Sequence, residues 1–184
     1  MSLLETQNFL ARVYTDENLR RKFLSAPERT GRENNLSEKE IIELAKILPA
    51  ELNLFAESLF CKRLREVEKL LPLTKQVLAE EFEIYFREFA GGFLPATVKK
   101  HLEDAIQFAD FLQSREEGWT KDLAKFEQAK LEFYGGDKRF ILKVFDFDIK
   151  EISRQDAKAP SEFKKKKTLA VWLRISNKTH YFIR

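Results

Sequence analysis

Residues 135–150 read GGDKRFILKVFDFDIK, and at this stretch the spacing of the apolar residues changes. Before Gly135 the apolar positions recur every three or four residues. After Gly136 they are dense in β-formers and then alternate, with Phe145, Phe147 and Ile149 on one side and Asp146 and Asp148 on the other. A period of two is that of a strand with one buried face, whereas a period near 3.6 is that of an amphipathic helix. This stretch therefore divides a helical front from a β back.

Downstream, Leu169, Val171, Leu173 and Ile175 form a second alternating run, and Asn177-Lys178 supplies a turn into Tyr181–Ile183. Three short strands in a meander cannot bury themselves alone and must rest on helices or on a partner. The polar connection from Ser153 to Lys166 contains Pro160 and is expected to be the most mobile part.

Upstream, residues 3–14 read as a helix through Leu3, Leu4, Phe9, Leu10 and Val13. Thr15 is expected to cap a short helix carrying Leu19, Phe23 and Leu24, which Pro27 stops. Ser37 and Glu40 form a capping box ahead of Ile41, Leu44 and Leu48. Pro49 and Pro72 bracket a long helix with Leu52, Phe55, Leu59, Phe60, Leu64, Val67 and Leu71 along it. A single helix is expected over 73–89, ended by positive φ at Gly91-Gly92. Pro95 then opens a helix whose stripe runs Val98, Leu102, Ala105, Phe108, Ala109, Leu112. The last helix spans about 119–134, with Trp119, Leu123, Phe126 and Phe133 inward. The expected fold class is α+β, predominantly α: an N-terminal helical bundle (1–134) followed by a small three-stranded antiparallel sheet (135–184) packed on it.

The chain of 184 residues is 43% hydrophobic and 34% charged, enough for a packed core under a solvated surface, and its seventeen Phe mark that core as aromatic. Charge follows the same boundary. Residues 135–184 hold 13 Lys and Arg against 6 Asp and Glu, net +7, and residues 1–134 are net −4. The N-terminal residues lack a basic segment followed by an apolar run, and no stretch has the length of a membrane span. One cysteine, Cys61, forms no internal disulfide and fits a reducing cytoplasm; it is expected on a buried helix face.

Catalytic motifs are lacking. A di-iron bundle needs Glu-x-x-His pairs, but Val98 precedes His101 by three and Asn177 precedes His180. One Cys and two distant His give no zinc spacing, and neither a phosphate-binding glycine loop nor a nucleophile elbow occurs. His101 is expected to be a half-buried structural residue and His180 a surface one. Asp146 and Asp148 are expected to pair with lysines of Lys164–Lys167. No cofactor is expected.

Lys164-Lys165-Lys166-Lys167, with Phe163, Trp172, Arg174 and Tyr181, is the sharpest charged constellation. Cations on phosphates and aromatics stacked on bases would make it a nucleic-acid surface; four lysines leading into an edge strand also guard against edge-to-edge association. The favoured reading is a non-catalytic adaptor that recognises a protein or peptide. An extended peptide would add to a strand edge within 139–184, beside an aromatic groove from Phe82, Phe86, Phe89 and Trp119.

Residues 9–36, FLARVYTDENLRRKFLSAPERTGRENNL, with the Ser37 cap, resemble a helical module of some peptide-leader segments and of small accessory subunits of ring-cleaving dioxygenases. KRLREVEKLLPLT (62–74), FLPATVKKHLEDAIQFADFL (93–112), FDFDIK (145–150) and TLAVWLRI (168–175) resemble a poorly characterised bacterial family with a helical front and a β back. Some of its members are encoded near iron-dependent oxidative enzymes that modify ribosomal peptides. The resemblance implies a partner that presents a peptide or escorts an enzyme, and it carries over no site residue.

Overall fold

The structure, a computed structural model, describes residues 3–153, 163, 165–176 and 178–184. Most of the connection expected to be mobile, and Lys164, lie outside the described residues. The elements run α1 (Leu3–Thr15), α2 (Glu17–Ser25), α3 (Pro27–Glu33), α4 (Glu38–Leu44), α5 (Pro49–Leu70), α6 (Pro72–Leu78), α7 (Glu81–Gly92), α8 (Lys100–Arg115), α9 (Gly118–Gly135), β1 (Phe140–Phe147), α10 (Ile149–Ile152), β2 (Lys165–Ile175) and β3 (Lys178–Ile183). The protein is α+β and mainly α, as the two periods require.

The chain forms two compact units, one of residues 1–64 with 87–94 and one of residues 65–86 with 95–184. The 134/135 boundary read from the sequence separates helix from strand; the compact units divide elsewhere, because α9 and the sheet share one core.

In the first unit, Phe9, Val13, Phe23, Leu36, Ile41 and Leu52 are buried together, with Phe9 and Phe23 edge-on at 5.2 Å. Gly31 lies so close to Ile41 that a Cβ would stand 2.5 Å from Cγ1. Several local expectations are corrected. The Thr15 hydroxyl donates back to the Ala11 carbonyl (2.9 Å), and Asp16 is the cap, accepting from Leu19 N at 3.0 Å. Pro27 ends α2 but also opens α3, whose sequence PERTGRE has no apolar stripe to announce it. The Ser37–Glu40 capping box is present. Leu4, Leu48 and Phe55, read as inward, are exposed, although the Phe55 ring packs on Tyr14 at 4.5 Å. Cys61 is half-buried rather than buried.

In the second unit, α9 packs on the inner face of the sheet through Leu123, Phe126 and Phe133 against Ile141, Phe145 and Trp172. Phe108 is met edge-on by Phe82 and Phe86, each at 5.1 Å. The helix expected over 73–89 is two helices, broken where Ala79 takes φ 49°. No glycine or proline signals that break, and the apolar spacing continues across it. Gly91 and Gly92 close α7 without a positive φ. Pro95 does not open α8 and Val98 is fully exposed. Instead Glu103 reaches back to accept from Ala96 N and Thr97 N, at 3.1 and 2.8 Å, and α8 begins at Lys100.

The sheet order is β1-β2-β3, antiparallel throughout. Cross-strand partners put Ile141 beside Trp172 and Trp172 beside Tyr181 on the inner face. On the outer face the rows are Phe140–Leu173–His180 and Leu142–Val171–Phe182. Val144 pairs with Leu169 in the next row, and Leu169 and Arg184 exchange backbone hydrogen bonds at 2.8 and 2.9 Å.

Candidate functional site

The two edges of the sheet differ, and the difference comes from α9. Asp122 accepts from the backbone N–H groups of Asp146 (2.6 Å) and Phe147 (3.0 Å), where the β1 register shifts. Lys125 Nζ donates to the Val144 carbonyl at 2.7 Å. Polar side chains thus occupy backbone groups along β1. Burial raises the Asp122 carboxyl above its ordinary range, against the pull of the two N–H groups. On the far side of β3 no strand pairs among the described residues.

Beside β3 runs a groove of about 500 Å³. Its apolar wall is Leu73, Phe126, Tyr181, Phe182 and Ile183, and Lys130 and Lys150 add charge. Tyr181 stacks on Trp172 at 5.1 Å, and Trp172 sits 5.8 Å from the Phe126 ring. Burial, and then the nearby Tyr134, raise the Tyr181 phenol above its ordinary value, so it is a neutral hydroxyl at physiological pH. The groove can hold apolar side chains of an extended chain and offer it cations and a phenol.

The Leu73 wall is fixed by a remote carboxylate. Glu127 of α9 accepts from Leu73 N (3.1 Å) and Thr74 N (2.8 Å), capping α6, whose own cap residue Leu71 has no side-chain acceptor. Burial raises the Glu127 carboxyl and the backbone hydrogen bonds oppose it.

The structure disperses the basic constellation. Trp172 is wholly buried and supports Tyr181 from below, so it is no surface contact. The Arg174 guanidinium donates to Phe133 O at 2.9 Å and Gly136 O at 3.5 Å, serving the carbonyl end of α9. Lys166 pairs with Asp148, whose carboxylate also accepts from Lys150 N at the start of α10; the lysine hydrogen bond lowers the Asp148 carboxyl. Lys165 and Lys167 are exposed, and Phe163 packs on Trp119 at 4.9 Å. Among the described residues of this set, Tyr181 alone lines the groove. Of the four aromatic residues expected to line a groove, Phe82, Phe86 and Phe89 are buried, and Trp119 is half-buried against Phe163. His101 is exposed rather than half-buried.

No group of His, Cys, Asp and Glu among the described residues is arranged to hold a metal ion. In the first unit a cavity of about 440 Å³ is lined by paired charges. Arg87 grips Glu57 through two bonds of 2.9 Å and covers the Phe60 ring. Arg20 donates to the carbonyls of Val13 and Tyr14 and to Asn53. No described helix is long and apolar enough to cross a membrane. Compared with known proteins, the chain matches no family model, no curated protein and no solved structure.

Sequence reasoning passed over Asp122, Glu127, Lys130 and Lys150, and it read Phe126 as an inward helix residue with no part in a groove. A signal for the acids was present. Asp122 stands one helical turn from Phe126, and Glu127 one turn from Leu123, so both carboxylates fall on the apolar side of α9.

Proposed function

We propose that the protein is a non-catalytic recognition protein that takes up an extended segment of a partner by strand addition to β3. The observation that carries this reading is the asymmetry of the sheet: side chains of α9 occupy backbone groups at Val144, Asp146 and Phe147 of β1, whereas among the described residues no strand pairs with the far side of β3, which a groove flanks. Main-chain hydrogen bonds supply affinity in this mode and side-chain pockets supply specificity. A segment that places an apolar residue against Leu73, Phe126 and Tyr181, and an acidic residue near Lys130 and Lys150, fits the groove. The partner implied by the family resemblance, a peptide or its modifying enzyme, is of this kind.

The test is a selection from a random peptide library, followed by backbone N-methylation of the recovered peptides at alternate positions. Loss of binding at one parity of methylation is expected, since strand addition uses every second N–H. Equal binding by both methylated series would sink the reading. So would slow, uniform hydrogen exchange across all amides of 178–183 in the free protein.

A further inference from the structure

The outer face of the sheet is as notable as its edge. Phe140, Leu142, Val144, Ile175 and Phe182 are each about half exposed, with Phe182 at 60%. Leu169, Val171 and Leu173 lie among them, half-buried, in the central strand. Taking roughly 150–250 Å² for a fully exposed aromatic side chain, the face offers on the order of 600 Å² of apolar surface. That is at the upper end of the roughly 300–600 Å² of the largest patch on a monomer, and approaches the roughly 800 Å² that one partner contributes to a stable interface. Its inner counterpart is covered by α9, whereas among the described residues no helix covers the outer face to complete a sandwich of sheet and helices.

We propose that this outer face is a docking surface for an amphipathic, acid-flanked helix of a partner protein, distinct from the β3 edge. Width favours a helix. Three strands about 4.8 Å apart span roughly 10 Å, and an α-helix with its side chains is about 10–12 Å across. Charge sets the sign of the helix flanks. Lys167 and Lys178 in the strands, and Arg184 just after β3, are exposed and fall on this face, against one acid, Asp146, among the described residues of the strands. A second copy of the chain would bring one cation-bordered face against another, so acid complements this rim where self-association does not.

The probe is a synthetic 18-residue peptide with Leu at helical i, i+3, i+4, i+7 spacing and Glu elsewhere. Its controls are the same peptide with Lys for Glu and one broken by two prolines. Binding is followed by peptide helicity and by the methyl resonances of Leu142, Val144 and Val171. The acidic peptide is expected to gain helix, to shift those methyls, and to bind at least tenfold more tightly than either control. Leu142→Glu, on β1 and away from the groove beside β3, should weaken it tenfold or more. Lys167→Glu with Lys178→Glu, which alters no buried side chain, should reverse the preference toward the Lys peptide. Equal binding of both charged peptides would overturn the proposal, as would shifts confined to β3 edge amides and Tyr181. Dimerisation in sedimentation, or binding to vesicles of mixed zwitterionic and anionic phospholipid, would also overturn it if Leu142→Glu abolished either one.

Discussion

Glu40 shows how much of this fold is set by single carboxylates. It accepts from the Ser37 hydroxyl, from Thr6 and from Ser37 N (2.8 Å), and these bonds hold it at about 2 against an ordinary 4.5. A depressed carboxyl favours the folded state while it is ionised. Its contribution is therefore present above about pH 4.5 and is lost as pH falls through about 2. Glu40→Gln should lower the melting temperature at pH 7, and the gap to the parent should close between those two values. A gap that stays constant down to pH 2 would contradict this. Trp172 makes the complementary case for burial. It is fully enclosed between Phe126 and Tyr181, so Trp172→Ala should cost about 3–5 kcal/mol in urea unfolding. Because Tyr181 stacks on it, the groove beside β3 should lose its form in the same variant.

At the scale of elements, the decisive feature is that α9 treats the two edges of the sheet differently. Asp122→Ala removes the acceptor of two backbone N–H groups, one of them on buried Phe147. An orphaned buried donor costs about 1–3 kcal/mol. Exchange of the Asp146 and Phe147 amides should quicken at least tenfold while β3 amides are unchanged; unaltered exchange at 146 and 147 would dismiss Asp122 as the guard of that edge. The strands themselves were legible because alternation at Phe145 and Phe147 has one physical source, a sheet with one face buried, although Ile149, read as the next step of that alternation, opens α10 instead. The Ser37–Glu40 box was legible for a similar reason, since its two hydrogen bonds join neighbours in sequence. The edge asymmetry was not, because it depends on Asp122 meeting residues 24 and 25 positions away. The break at Ala79 was hidden because the apolar spacing runs on through it. Trp172 was misplaced because alternation gives two faces and does not say which is inside: Leu169, Val171 and Leu173, the more apolar run, face outward.

For the molecule as a whole, the buried residues of the two compact units set the thermodynamics. Phe9, Phe23 and Ile41 lie in one compact unit, and Phe126, Phe133 and Trp172 in the other, while α5 and α7 contribute residues to both. Both tryptophans, Trp119 and Trp172, belong to the second unit. Tryptophan fluorescence therefore reports that unit alone, and far-UV circular dichroism reports helices of both. Phe23→Ala deletes a buried ring from the first core at a cost of about 3–5 kcal/mol. If each core is its own cooperative unit, the dichroism transition in urea should broaden and begin earlier, and the fluorescence midpoint should hold its place. Phe133→Ala should do the reverse, moving the fluorescence midpoint down and leaving an early-resistant fraction of helix. Should both probes move together in both variants, the continuous helices α5 and α7 join the cores into one two-state unit, and the division into separately unfolding parts is wrong.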